Sequence, residues 1–156
     1  MQNSLFNVVN EGVTTNDYYT PKWLFDAMGL EFDIDVAAPT GGVEWIPAKS
    51  WYDIEMDGLQ QEWHGFVWCN PPYSNPTPFI DKFITHANGI MLVQVSKSNA
   101  FIRLWNEADH IMMMPRNIMF EHKEHGKKGI FMPVGLFGMG NKAQNCMQQS
   151  AINKVR

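Results

Sequence analysis

The segment Asn70-Pro71-Pro72-Tyr73 is the feature that most limits how this chain can fold. It directly follows an apolar run at residues 66–69, which predicts a short buried strand. The two prolines lack a backbone N–H and fix φ, so the chain must leave the sheet there in a stiff, extended loop. Such a loop places an amide side chain, a backbone carbonyl and an aromatic ring in one small volume. These groups suit the binding of a planar base that carries an amino group, whereas the simpler alternative is a turn with an exposed tyrosine.

Length and composition predict one folded domain covering residues 1–156. Of the 156 residues, 45% are hydrophobic and 18% are charged, which is typical of a globular protein. No apolar run approaches the ~20 residues that a membrane-spanning helix needs, and residues 1–10 lack the pattern of a secretion signal. Cys69 and Cys146 have no motif spacing, which favours free thiols. We therefore expect a cytoplasmic protein that has no membrane partner.

The charge is distributed unevenly along the chain. Residues 1–69 contain two Lys and eleven Asp or Glu, a net charge of −9, whereas residues 70–156 contain ten Lys or Arg and five Asp or Glu, a net charge of +5. The two values sum to the −4 of the whole chain. The basic half predicts an anionic partner on the C-terminal side, and a solvated basic surface is an equal alternative.

Strand and helix patterns alternate, which predicts an α/β sheet with helices on both faces. The first helix begins after Pro21, with Thr20 as the candidate cap. The last two strands, separated by a charged loop at 121–129, predict a C-terminal antiparallel hairpin at one edge. We expect residues 1–16 to form a flexible arm and residues 141–156 a loose tail. The strands are predicted at 31–38, 50–53, 66–69, 89–95, 110–120 with a break at Pro115, and 130–138, and the helices at 22–30, 78–86 and 98–108.

Four segments, taken in order, resemble one enzyme family. They are Tyr19-Thr20-Pro21, Asp35-Val36-Ala37-Ala38, Asp57-Gly58-Leu59 with Trp63, and Asn70-Pro71-Pro72-Tyr73. Together they resemble the phage-type DNA N6-adenine methyltransferases, a compact family that uses S-adenosylmethionine, and the likeness runs from about residue 16 to about residue 140. The resemblance implies a Rossmann-like methyltransferase sheet, a double-stranded DNA substrate and, for a phage protein, the cytoplasm of the host bacterium. Ala37-Ala38-Pro39 replaces the usual glycine-rich turn, and the interval from Asp35 to Asn70 is short, so we expect an abbreviated cofactor pocket.

The resemblance also implies roles for individual residues. The catalytic residues are Asn70, Pro71, Pro72 and Tyr73, and the cofactor-binding residues are Tyr19, Thr20, Pro21, Asp35, Ala37 and Asp57. Hydrogen bonds from adenine's exocyclic amine to the Asn70 oxygen and the Pro71 carbonyl would free the nitrogen lone pair. Tyr73 would stack on the base after its extrusion from the duplex. This chemistry requires no metal.

Three of these assignments have structural alternatives. Asp35 lies at a strand end, where open α/β sheets bind ligands, and this position favours a cofactor contact over the alternative of a solvated or capping aspartate. Asp57 is either a ligand contact or a turn residue before Gly58. Thr20 contacts the cofactor's amino-acid end, caps the first helix, or does both.

Four basic residues near the predicted hairpin are candidates for DNA binding: Arg116, Lys123, Lys127 and Lys128. A solvated turn is the alternative. His122 and His125 lack a second ligand cluster, so we expect no metal site there. The same motif also serves methylation of cytosine N4, RNA adenine or a glutamine amide, and a non-catalytic binding module is a further alternative. The sequence does not predict the oligomeric state.

Overall fold

The computed structural model describes residues 19–114, 118–122, 126–129 and 132–152. Within these ranges the chain forms eight strands and four helices. The strands are β1 (Phe32–Asp35), β2 (Ala48–Trp51), β3 (Val67–Cys69), β4 (Gly89–Gln94), β5 (His110–Met113), β6 (Met119–His122), β7 (Gly126–Gly129) and β8 (Val134–Met139), and the helices are α1 (Lys22–Met28), α2 (Thr77–His86), α3 (Asn99–Glu107) and α4 (Asn141–Gln149). None of these helices is long and apolar enough to cross a membrane.

Six of the strands form the main sheet, in the order β2-β1-β3-β4-β8-β5. The first four strands along the chain are mutually parallel, so their carboxyl ends meet at one edge. Strand β8 is antiparallel to both β4 and β5. The predicted α/β sheet with a C-terminal antiparallel edge pair is therefore confirmed.

Helices cover both faces of the sheet, which gives three layers. One apolar cluster joins α1 and α4 to one face, and a second joins α2 and α3 to the other. Along β4, Ile90 and Leu92 belong to the first cluster whereas Met91 and Val93 belong to the second, as the period of two in a strand requires. Burial on both faces explains why β4 is apolar without alternation.

Local sequence signals set the ends of two helices. Gly29 takes a left-handed conformation with φ +63° after α1, and its N–H donates to the Phe25 carbonyl. The Ser98 hydroxyl caps α3 by accepting from the Phe101 N–H at 3.1 Å. Thr20 has no such role, because α1 has Pro21 at its N-cap and no side-chain capping bond. The predicted Thr20 cap is therefore wrong.

Strands β6 and β7 form a separate antiparallel hairpin between β5 and β8. The predicted charged loop at 121–129 is therefore wrong for the described residues of that segment, which pair as strands. Tyr19 joins this hairpin through a bridge to Glu121: the Tyr19 N–H donates to the Glu121 carbonyl at 2.6 Å, and the Glu121 N–H donates to the Tyr19 carbonyl at 2.8 Å. The hairpin is thereby tied to the segment that precedes α1.

The C-terminal segment is not the loose tail that its composition predicts, at least through residue 152. Helix α4 buries Ala143 and Met147 completely, and Ile152 beyond it is also buried. Gly138 of β8 permits the close approach of α4, because a Cβ at this position would lie 2.5 Å from the Met147 sulfur. The predicted arm at residues 1–16 lies outside the described residues.

Candidate active site

A cavity of about 410 Å³ opens at the carboxyl ends of β1, β2 and β3. Strand β1 lies between β2 and β3, so the chain changes direction across the sheet at β1. Such a switch point is where open α/β sheets bind ligands. The cavity brings together most of the residues that the sequence predicted: Tyr19, Thr20, Asp35, Ala37, Asp57, Asn70, Pro71, Pro72 and Tyr73. Pro21 is buried beside Thr20 but does not line the cavity.

Asn70 follows the last residue of β3 and lines the cavity. Its Nδ2 donates to the Thr20 hydroxyl at 3.0 Å. Its Oδ1 is buried and accepts no hydrogen bond from any described residue. A buried acceptor without a donor costs about 1–3 kcal/mol, which a ligand N–H can recover.

The loop after Asn70 supplies an aromatic wall. The Asn75 N–H donates to the Pro72 carbonyl at 3.2 Å, which closes a turn. Tyr73 is half-buried, and its ring packs edge-on against Phe120 of β6 at a centroid distance of 6.4 Å. Burial raises the pKa of the Tyr73 hydroxyl above its usual value, so the ring carries no charge near neutral pH. Tyr73 therefore contacts both the cavity and the hairpin.

Asp35 is a buried carboxylate at the end of β1, 4% exposed, rather than a solvated one. Burial raises its pKa to about 7, and a hydrogen bond from the Ala37 N–H to Oδ1 at 3.2 Å acts in the opposite direction. The carboxyl group therefore keeps its proton to a higher pH than an exposed aspartate does. A cationic ligand group beside it would favour the charged form.

Thr20 is almost fully buried and anchored from several sides. The Trp45 indole N–H donates to the Thr20 carbonyl at 2.8 Å. The preceding residue, Tyr19, is paired with Glu121. The Thr20 hydroxyl accepts a hydrogen bond from the Asn70 amide. The Thr20 side chain thus contacts Asn70 of the motif loop rather than the start of the helix.

Asp57 combines a turn role with a place in the cavity wall. It is exposed, has φ +52°, and its Oδ1 accepts from the Leu59 N–H at 3.2 Å, as expected of a turn aspartate. A Cβ at Gly58 would lie 2.1 Å from the Val36 carbonyl oxygen, so only glycine permits this approach to β1. The Trp63 indole N–H donates to the Gly58 carbonyl at 2.8 Å and supports the same turn.

Sequence reasoning missed Asp53, which is buried and also lines the cavity. Its Oδ1 accepts from the N–H groups of Glu55 and Met56 at 3.0 and 3.1 Å, and its Oδ2 accepts from the Gly41 N–H at 3.3 Å. It therefore ties together the loops that follow β1 and β2. The available signal was an acidic residue close to the end of a predicted strand.

The cavity wall has a marked charge bias. Three aspartates line it, Asp35, Asp53 and Asp57, and none of the lining residues in the described part of the chain is Lys, Arg or His. Such a wall favours a cationic ligand and disfavours a polyphosphate.

Comparison with known proteins decides the family. The family model described as DNA N-6-adenine-methyltransferase matches residues 11–131, which span all four predicted segments. The chain belongs to this family of DNA N6-adenine methyltransferases. A DNA N-6-adenine-methyltransferase of Haemophilus phage HP1 (strain HP1c1) is 27% identical over 121 residues, which cover 70% of this chain and 68% of that protein. The predicted resemblance is confirmed, and DNA is the substrate class.

Of the methyltransferase's four basic candidates, the two that the structure describes, Lys127 and Lys128, are not among the residues that line the cavity. Lys127 is exposed on β7 opposite Glu121, and Lys128 is paired with Phe120. Arg116 and Lys123 lie outside the described residues. No group of three or more His, Cys, Asp or Glu side chains in the described ranges is placed to hold a metal ion. The His122 ring stacks on Tyr19 at a centroid distance of 6.4 Å.

Proposed function

We propose that this methyltransferase uses S-adenosylmethionine to methylate adenine N6 in DNA, after the base has been extruded from the duplex. One observation carries the proposal: the buried Asn70 Oδ1 lacks a donor among the described residues and lies in a cavity lined by three aspartates. An acceptor is what an adenine amine requires. Carboxylates are what a cationic cofactor requires.

The cavity fits the cofactor in size and charge. Ligand pockets commonly have volumes of roughly 300–1,000 Å³, and this one is about 410 Å³. S-adenosylmethionine carries a sulfonium and an ammonium group, which match the acidic wall. The residues that would hold it are Tyr19, Asp35, Ala37 and Asp57, with Pro21 buried behind them. When bound, the cofactor supplies an electrophilic methyl group.

The motif residues prepare the amine. Asn70 Oδ1 and the Pro71 carbonyl accept hydrogen bonds from the two amine protons, which favours a pyramidal nitrogen with an available lone pair. Because these acceptors are fixed before the base arrives, they stabilise the positive charge that develops on the nitrogen. Pro71 and Pro72 stiffen the loop that holds them.

The depth of the acceptor supports the proposed extrusion of the base. Asn70 Oδ1 is buried, so an adenine stacked inside a duplex cannot bring its amine to it. The Tyr73 ring, which lines the cavity, would stack on the extruded base. Lys127 and Lys128, together with Arg116 and Lys123, would hold the DNA backbone through phosphate contacts.

The experiment is a methyl-transfer assay on duplex DNA of mixed sequence, with mass-spectrometric analysis of the nucleosides. We expect N6-methyladenine from the wild type and a rate about 10²–10³ lower for Asn70→Ala. Binding of S-adenosylhomocysteine, measured by calorimetry, should survive in that variant because Asn70 is not among the proposed cofactor contacts. Asn145→Ala, an exposed site on α4, is the matched control. Methylation of cytosine or RNA instead, or full activity of folded Asn70→Ala, would contradict the proposal.

A further inference from the structure

We infer that Thr20 is a positioning residue for catalysis: its hydroxyl fixes the Asn70 amide so that Oδ1 faces the target amine. This inference rests on the proposed function, in which Asn70 Oδ1 accepts from adenine. It differs from the cofactor-contact role that the sequence predicts for Thr20. The observation behind it is the 3.0 Å hydrogen bond from Asn70 Nδ2 to Thr20 Oγ1.

The orientation of the Asn70 amide decides whether it can act. One end of an amide accepts hydrogen bonds and the other end donates them. If the group turned over, Nδ2 would meet the adenine amine and two donors would oppose each other. In the structure Nδ2 is engaged by Thr20, while Oδ1 is left buried with no donor from the described residues. The hydroxyl thus satisfies the end of the amide that catalysis does not use.

Thr20 is held firmly enough to set that orientation. Its side chain is 1% exposed, and a β-branched residue has few χ1 choices. Its carbonyl accepts from Trp45, and Tyr19 before it is bonded twice to Glu121. On the other side Pro21 is the N-cap of α1, and the Thr20 hydroxyl makes no capping hydrogen bond to that helix. The backbone that carries the hydroxyl is therefore anchored on both sides of Thr20.

The test compares Thr20→Val, which keeps the shape and removes the hydroxyl, with Thr20→Ser, which keeps the hydroxyl. We expect the kcat for methyl transfer to fall about tenfold to hundredfold in Thr20→Val, with most of the rate restored in Thr20→Ser. The affinity for S-adenosylhomocysteine should be unchanged in both. Thr85→Val is the matched control, because it removes a hydroxyl bond to the Asp81 carbonyl on the exposed side of α2. Its kcat should equal that of the wild type.

A spectroscopic measurement reports on the bond without turnover. The side-chain ¹⁵NH₂ signal of Asn70, identified by its loss in Asn70→Ala, should move in Thr20→Val and return in Thr20→Ser. If Thr20→Val does not fold, the wild type still decides the question. A persistent bond predicts slow exchange of an Asn70 amide proton with solvent, and fast exchange would overturn the inference.

Three further results would overturn it. They are a normal kcat in folded Thr20→Val, an equal loss of rate in Thr20→Val and Thr20→Ser, and weakened cofactor binding with a normal kcat at saturating cofactor. The last result would assign Thr20 to the cofactor instead. If the wild type neither binds S-adenosylhomocysteine nor forms N6-methyladenine, the proposed function is wrong. The Asn70 ¹⁵NH₂ signal would still show whether the hydrogen bond from Asn70 to Thr20 exists.

Discussion

Asp35 illustrates how the position of one residue changes its chemistry. Its pKa is raised to about 7 by burial, from an ordinary value of 3.8. The folded protein therefore holds this proton more tightly than the unfolded chain does, and the contribution of Asp35 to stability declines as the pH rises from about 4 to about 7. A cationic ligand reverses that preference, because it stabilises the carboxylate.

Cofactor binding should accordingly depend on pH through Asp35. We expect the affinity for S-adenosylmethionine to rise between about pH 6 and pH 8, with release of a proton on binding. Calorimetry in buffers of different ionisation enthalpy measures both quantities. Asp35→Asn should bind more weakly and lose the pH dependence, whereas Asp26→Asn, exposed on α1, should retain both the affinity and the dependence. A pH-independent wild type would contradict the expectation.

Tyr73 should act through its ring rather than its hydroxyl. Tyr73→Phe keeps the face available to a base and the edge contact with Phe120, so it should retain most of the activity. Tyr73→Ala removes the stacking surface, worth about 1–3 kcal/mol per base. Steady-state rates of the two variants on the same duplex measure the difference. Equal damage from both substitutions would point to the hydroxyl.

At the scale of elements, the β6–β7 hairpin is joined to the active site at two points. The Tyr19–Glu121 bridge holds it to the segment before α1, and the Phe120–Tyr73 contact holds it to the motif loop. A DNA backbone bound by the hairpin would consequently lie beside the cavity.

If Lys127 contacts a phosphate, its removal should weaken binding to DNA of any sequence. The slope of log K against log salt should become shallower by about 0.9 for the lost contact. Fluorescence anisotropy at several salt concentrations measures this slope. Lys142→Ala is the control. Lys142 lies on α4, which follows the end of β8 that pairs with Gly89. The cavity lies at the opposite ends of the strands. Equal slopes for Lys127→Ala and the wild type would make this lysine ordinary solvated surface.

At the scale of the whole molecule, α4 completes the layer that also contains α1. The Ala151 N–H donates to the Ala27 carbonyl at 3.0 Å, and Met147 lies against Gly138. The C-terminal segment is thus part of the core through the last described residue, Ile152. The family match stops at residue 131 and therefore leaves out a segment that the fold uses.

Met147→Ala should therefore destabilise the whole protein. Truncation of a buried methionine costs about 2–5 kcal/mol, and urea unfolding measures that loss. Gln148→Ala, the exposed neighbour, should leave the unfolding midpoint unchanged. If the unfolding midpoint of Met147→Ala equals that of the wild type, the C-terminal segment is loosely packed, as its composition predicts.

The predicted elements match the structure where local signals are strong and fail where packing decides. The apolar run of β4 and the strand before Asn70 were predictable, because burial on both faces requires continuous apolar residues. The sequence predicts a strand only as far as Phe120, because the charged residues of 121–129 hide the strand pattern in the rest of the β6–β7 hairpin. Helix α4 was missed because it buries one small and one flexible side chain, Ala143 and Met147, which leave a weak periodic signal.

The sequence by itself determined the motif loop, because proline stereochemistry and the preceding apolar run act locally, and it supplied the residues for which we propose catalytic roles. It also indicated that Asp35 and Asn70 follow strand ends. Only the tertiary structure brought Thr20 to Asn70, fifty positions away along the chain. Only burial set the pKa of Asp35 and added Asp53 to the cavity wall. Those properties depend on which strands are neighbours and how deeply a group is buried, and neither is fixed by short-range sequence pattern.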